Sequence, residues 1–306
     1  MKNETGRPAP GSLQPNCPLC AGEARPLWVL EHTGVWRCGD LRCALEFAHP
    51  QLDDRALAQA YASLYYPAED GGKLHLENTP EPDIRIFFRA VASHLGPVSG
   101  KRILDYGCGN GGLLRVASEL GAHATGIEQS EVARESIQRR GFGRAFRDLA
   151  ALQAAEPAAR FDWIVLCEVI EHLRWPWEEL EAFAPLLSPD GHIVVTTPNA
   201  ACLKSRLRGA AWEQRQNLTH FYYFNPTSLG ACLRRAGLRD VRELPAIVDY
   251  SGHGATRRLL QHALRACRLQ GGLLFTGAAP SPGGFGLCDP KRPKGRPSAP
   301  RSSVVG

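Results

Sequence analysis

No uninterrupted apolar run in the 306-residue sequence approaches the roughly 20 residues that cross a bilayer, so no transmembrane segment is expected. The first sixteen residues are polar, rich in Pro and Gly, and lack an apolar centre. They read as a disordered leader rather than a signal peptide. Acidic residues are nearly missing from residues 251–306, which hold nine Lys or Arg against Asp289 alone, a local balance of +8. The whole chain is +5, so residues 1–250 carry −3, and a nucleic-acid face on the main body is not expected. No nucleophilic triad is discernible either, and covalent catalysis is not required.

What is present suits a globular protein. An apolar fraction of 43% is enough for a large core, and the length allows one domain of roughly 200 residues with smaller pieces beside it. Six of the ten cysteines (108, 167, 202, 232, 267 and 288) are scattered, mostly among apolar neighbours. They fit reduced thiols in the cytoplasm. The other four come in two pairs, Cys17-Pro18-Leu19-Cys20 and Cys38-Gly39-Asp40-Leu41-Arg42-Cys43, with seventeen residues between. Four thiolates close a tetrahedral site, and a segment this short builds too little core to fold without such a staple. Residues 17–50 therefore resemble a small zinc ribbon carrying a structural metal. The second spacing, C-x4-C, is looser than the usual C-x2-C, so His32 and His49 stand as substitute ligands. Four sulfur ligands leave no open position for catalysis.

A helical lead-in is expected over 51–100, first an Ala-, Leu- and Tyr-rich helix over 52–66 and then, after a loop with Pro67, Gly71 and Gly72, a second. Ile84, Phe87, Phe88, Val91 and Leu95 recur at helical spacing and mark its buried face. From Lys101 strands and helices alternate, which predicts a doubly wound, mostly parallel α/β sheet over 101–277. Strands are expected at 101–105, 123–128, 145–148, 161–167, 192–197, 241–248 and around Leu273-Leu274-Phe275. Trp177–Leu187 reads as a helix, Ser188-Pro189-Asp190-Gly191 as a turn, and 200–225 as a long connection of the kind that forms lids. Arg257–Leu269 reads as a basic amphipathic helix, and residues 278–306 as a disordered basic tail.

The chain is organised around Ile103-Leu104-Asp105-Tyr106-Gly107-Cys108-Gly109-Asn110-Gly111-Gly112. Strand, glycine turn and helix bring a nucleotide-like ligand against bare backbone and the positive end of a helix. Gly107 permits the tight turn, and Gly109 and Gly111 remove side chains where the ligand comes close. Gly107, Gly109 and Gly112 also satisfy the dinucleotide pattern, but Asp105 would repel a pyrophosphate. A ligand with an ammonium group and no phosphate gains from it. The stretch resembles motif I of the class I S-adenosylmethionine-dependent methyltransferases, which implies a Rossmann-like fold.

Phe161–Cys167 followed by Glu168-Val169-Ile170-Glu171-His172 is a second resemblance to that family. The run from Thr196 to Gly237 resembles its small-molecule, ubiquinone-type O-methyltransferases. Glu128, with Gln129 beside it, follows Asp105 at the interval of a ribose-holding acid. The resemblance implies that Asp148 accepts from the adenine amine and that Cys167 and Glu168 face the cofactor. His220 is the first candidate for a general base; His172 reads as an orienting or packing residue. The implied activity is methyl transfer from S-adenosylmethionine to a small-molecule acceptor, oxygen favoured over carbon or nitrogen. The alternative is a catalytically silent cofactor fold that engages a partner or RNA through the ribbon and basic tail.

Overall fold

The computed structural model describes residues 14–65, 81–245, 264, 266–267 and 269–280. The loop with Pro67, Gly71 and Gly72, most of the helix expected over Arg257–Leu269, and nearly all of the expected leader and tail lie outside the described residues. The chain opens with three short strands, β1 (Ala24–Val29), β2 (Gly34–Cys38) and β3 (Glu46–His49), and two helices, α1 (Asp54–Tyr65) and α2 (Glu81–Leu95). Next come β4 (Arg102–Tyr106), α3 (Gly112–Glu119), β5 (His123–Ile127), α4 (Glu131–Arg140), β6 (Arg144–Phe146) and α5 (Leu149–Ala155). The second half holds β7 (Phe161–Cys167), α6 (Pro176–Phe183), β8 (Leu187–Pro198), α7 (Leu203–Arg208), α8 (Glu213–Gln216), β9 (Tyr222–Tyr223), α9 (Pro226–Arg235), β10 (Arg239–Glu243) and β11 (Gly272–Ala278).

Seven strands form the main sheet in the order β10-β11-β8-β7-β4-β5-β6. Five are parallel, and β11 enters antiparallel between β8 and β10. Ile164, Val165 and Leu166 of β7 are fully buried, as are Ile103 and Leu104 of β4, which is why these strands are apolar without alternation. α2 lays Ile84, Phe88 and Val91 into the core on the expected face. Ser130 caps α4 by accepting from Ala133 N, and Gly141, in the left-handed region, ends it. From β4 the chain winds through β5 and β6 to one edge, and β7 then starts the other half beside β4. This reversal opens a crevice at the carboxyl ends of β4 and β7, where open α/β sheets bind ligands.

Three expectations change. Ser188–Gly191 is no free turn but part of β8, a register irregularity between the pairs Phe161–Leu187 and Trp163–His192. A Cβ at Gly191 would stand 2.8 Å from Phe161 O, so only glycine lets the strands stay paired there. Residues 200–225 are no irregular lid either. They contain α7, a 310 turn (Gly209–Ala211), α8 and β9, tied at the base by Ala200 N donating to Phe224 O (2.7 Å). The cysteine segment, finally, does not complete its sheet within residues 17–50. Its sheet, β1-β2-β3-β9, takes its last strand from the second half of the chain.

On β5 as well, glycine is demanded for space rather than backbone freedom. A Cβ on Gly126 would run into Cys108 Sγ and lie 3.0 Å from Leu114 Cδ1. Gly126→Ala should therefore cost about 1–3 kcal/mol in urea unfolding, and Cys108→Ala in the same chain should recover most of it.

Candidate functional site

Two strand ends and one loop make the first half of the site. Gly107 N and Cys108 N both donate to Ile127 O (2.9 and 3.0 Å), binding the glycine loop to the end of β5. Gly107 has φ +79°, and a Cβ there would stand 2.7 Å from Val169 Cγ2, so the turn excludes other residues twice over. Gly111, also left-handed, lacks a side chain where Ile137 Cγ1 comes within 2.8 Å of the Cβ position; the space it leaves is taken by α4. Asp105 is 3% exposed at the end of β4. Burial, and then the charge of Glu128, push its carboxyl up to about 7. Glu128 is buried one strand over and accepts from Gly109 N on Oε2 (2.9 Å) and from Ser130 N on Oε1 (2.8 Å). Each oxygen keeps a lone pair for a further donor. Burial raises Glu128 as well, against the pull of those two amides. Arg134 holds the next turn by donating to Glu128 O and Gln129 O. Asp148 caps α5, accepting from Ala151 N (2.7 Å), with Arg147 Nε at 2.9 Å; the amide and the guanidinium keep it ionised.

The second half stands past the end of β7. Cys167 is half-buried, and Glu168, a non-glycine residue at φ +54°, turns the chain out of the strand. Glu168 N is held by Thr196 O (3.1 Å) and Thr196 Oγ1 (3.2 Å) on β8. Solvent still reaches Glu168, yet protein crowds its carboxyl, and that desolvation lifts it to about 7. A 310 turn over Ile170–His172 then carries Glu171 and His172 inward. Glu171 Oε2 accepts from Thr197 Oγ1 (3.0 Å), while Oε1 is buried with no hydrogen-bond partner among the described residues. Burial and the charge of Glu168 raise it strongly.

His172 Nδ1 donates to Thr219 O (3.1 Å), which leaves Nε2 as the ring's acceptor. Its ring meets that of His220 edge to face at 4.5 Å. Asn217 fixes the His220 side: its Oδ1 accepts from Thr219 N and Thr219 Oγ1, and its Nδ2 stands 3.1 Å from His220 Nε2. Burial lowers His172 to about 4 and His220 well below its ordinary value, so both rings are neutral at pH 7. One donor atom each of Glu171, His172 and His220 falls within 4.8 Å of the others. The orphaned carboxylate oxygen and the free Nε2 of His172 suit a divalent cation, and His220 Nε2 could join them by giving up the Asn217 amide. Glu171 carries no expected role in the sequence. The readable signal was the Glu168-x-x-Glu171-His172 spacing just past a buried strand; its meeting with His220, 48 residues on, was not readable.

The four expected cysteines converge. Cys17 and Cys43 sulfurs are 3.6 Å apart, those of Cys20 and Cys38 are 3.4 Å apart, and all four lie within 4.8 Å of one another. A tetrahedron of 2.3 Å Zn–S bonds has edges of about 3.8 Å, so the donor set fits zinc. The loose second spacing closes because Cys43 N and Ala44 N both donate to Asp40 O, folding the extra residues into a turn. His32 and His49 lie outside the group.

A family model described as a methyltransferase domain matches residues 83–243. The ubiquinone biosynthesis O-methyltransferase of Xylella fastidiosa (strain 9a5c) is 34% identical over 153 residues, 46% of this chain and 62% of the relative. That of Xanthomonas axonopodis pv. citri (strain 306) is 34% identical over 160 residues, 49% of this chain and 66% of the relative. The chain thus spans less than two thirds of the length of these curated relatives. Among solved structures, the plantazolicin methyltransferase BamL, in complex with a triazolic desmethylPZN analog and SAH, shares the fold at TM-score 0.51 and 17% identity, over 74% of this chain and 96% of its own. With the family match covering more than half of its residues, the chain belongs to the methyltransferase-domain family.

Proposed function

We propose that this chain transfers a methyl group from S-adenosylmethionine to an oxygen of a small-molecule acceptor. The observation that carries this reading is the pair of buried carboxyls, Asp105 and Glu128, at adjacent strand ends across the glycine loop. Asp105 takes the ammonium of the donor, Glu128 the two ribose hydroxyls with Gln129 beside it, and Asp148 the adenine amine. Gly107, Gly109 and Gly111 shape the loop, and Cys167 and Glu168 line the side where the methyl leaves. The relatives named for ubiquinone biosynthesis support oxygen as the acceptor atom. Transfer from a sulfonium is an in-line displacement, and the protein's main task is to hold the acceptor near 3 Å from the methyl carbon. His220, neutral and set against His172, takes the acceptor's proton on Nε2 once that atom exchanges the Asn217 amide for the acceptor. We assign a structural zinc to Cys17, Cys20, Cys38 and Cys43, and the free thiols among the other described cysteines support a cytoplasmic reading.

A second reading of the acceptor side rests on the unpartnered Glu171 Oε1. A divalent cation held by Glu171, His172 and His220 would polarise the acceptor oxygen and ease its deprotonation. Metal content separates the two readings. A chain carrying two metal equivalents, reduced to one in His172→Ala with the cysteine metal retained, is expected for the cation; one equivalent in both proteins leaves His220 as the base.

The cofactor half is tested by calorimetry with S-adenosylmethionine. Glu128→Ala should weaken binding about a hundredfold, from two charge-assisted hydrogen bonds of roughly 1.5 kcal/mol each. Equal binding removes the ribose assignment. Asp105 titrates near 7 in the free protein and must be ionised to hold an ammonium. Binding should therefore weaken as pH falls through 7, by up to about tenfold per unit, and level off towards pH 8. A flat profile from pH 5 to 8 contradicts Asp105 as the ammonium partner.

A further inference from the structure

We propose that the metal of the cysteine tetrad latches the wall that carries His220: occupancy of the tetrad holds residues 213–225 in place, and loss of the metal releases that acceptor-side segment while the cofactor half stays folded. The inference rests on the zinc assignment above and not on the methyl-transfer reading.

The coupling is built from contacts on both sides of the tetrad. Cys38 ends β2, and Cys43 stands three residues before β3. β3 pairs with β9 through Glu46–Tyr223 and Phe47–Tyr222, and Ala48 N donates to Phe221 O (2.9 Å), the residue after His220. Asn225 Nδ2 donates to Ala44 O (2.7 Å), one residue past Cys43. Arg235 of α9 lies over the Trp177 ring at 4.3 Å and donates to the carbonyls of Pro18 and Leu19, inside the first cysteine pair.

The centre of this joint is an ion pair. Glu46 and Arg215 are 1% and 4% exposed, with Arg215 Nη2 donating to Glu46 Oε2 at 2.7 Å. Arg37 holds the other carboxylate oxygen of Glu46. The Arg215 guanidinium is ringed by Trp212 at 5.0 Å and by Trp28 and Tyr223 at 5.9 Å, and it donates to Gly209 O (2.9 Å). Two residues after it comes Asn217, which holds His220. A buried pair with one partner removed leaves an uncompensated charge, so the segment cannot keep its place once β3 departs.

The metal is what keeps β3 in place. Strands of four to six residues cannot hold a sheet of their own, and the free energy of metal binding in such a site is folding free energy. Cys17, Leu19, Cys38 and Cys43 belong to the same apolar cluster as Phe221, Tyr222 and Phe224, so disorder at the sulfurs reaches the aromatic run directly. That cluster also holds Leu104, Tyr106 and Ile127 beside the glycine loop, but the loop's own hydrogen bonds do not cross the joint. They run from Gly107 and Cys108 to Ile127 and from Gly109 to Glu128, within residues 105–130.

The test uses the full chain and reads metal content, amide hydrogen exchange by mass spectrometry and S-adenosylmethionine affinity, with no acceptor. Wild type should carry zinc on the tetrad. In Cys20→Ser/Cys43→Ser, which lacks that zinc, exchange over 213–225 should rise at least about tenfold while 103–128 stays within about twofold of wild type. Affinity for S-adenosylmethionine should likewise be unchanged. Glu46→Gln, with its zinc retained, should loosen 213–225 alone. Unchanged protection of 213–225 in the zinc-free variant, or loosening of both segments together, overturns the latch. Unchanged protection in Glu46→Gln overturns its route through Arg215. A wild-type chain that protects 213–225 without any zinc overturns the latch and the zinc assignment at once.

Discussion

Desolvated negative charge is the constraint that shapes this site. Asp105, Glu128, Glu168 and Glu171 gather at the carboxyl edge of β4, β5 and β7, and burial raises all four. Ionised carboxylates are costly in such a place unless something positive or hydrogen-bond-donating arrives to meet them. Backbone amides meet Glu128 and a threonine hydroxyl meets one oxygen of Glu171, while a sulfonium donor with an ammonium group suits Asp105. The same logic excludes phosphate from the glycine loop. Function here follows from what the edge repels as much as from what it accepts.

A second feature is that one half of the site draws on both sheets, with Glu168, Glu171 and His172 following β7 and His220 lying next to β9. The cofactor half is complete within a parallel sheet and its glycine loop. The acceptor half depends on a strand exchanged between the cysteine segment and the region after His220, fastened by a buried glutamate and arginine. Neutral imidazoles at pH 7 follow from this enclosure, because the packing that fixes His172 and His220 also removes the water that would stabilise their charged forms. A surface histidine pair would lack that property.

Much of the fold around the glycine loop is legible in the sequence. Asp105-x-Gly107-x-Gly109 is local, its geometry is dictated by glycine and by a carboxylate two residues before the turn, and buried parallel strands announce themselves as apolar runs. Legibility failed where a partner distant in sequence decides conformation. Residues 200–225 read as a loop because α7, α8 and β9 are too short to show a period, and β9 becomes a strand only against Glu46 and Phe47. Ser188–Gly191 carries every local mark of a turn, yet pairing with Phe161 draws it into β8. Glu171 was visible as a residue and invisible as a site, since its role arises 49 residues away at His220.

By itself the sequence determined the order of strands and helices from residue 101 to the end of β7, the glycine loop with its acid, and the four cysteines able to share a metal. These rest on periodicity, backbone conformation and ligand chemistry, all carried by residues close together in the chain. Only the tertiary structure decided that the cysteine segment shares a sheet with the acceptor wall, that Arg215 answers Glu46, and that Glu171, His172 and His220 meet. Those outcomes depend on burial and on contacts across 48 to 177 positions, from His172 to His220 and from Glu46 to Tyr223, and no local preference encodes them.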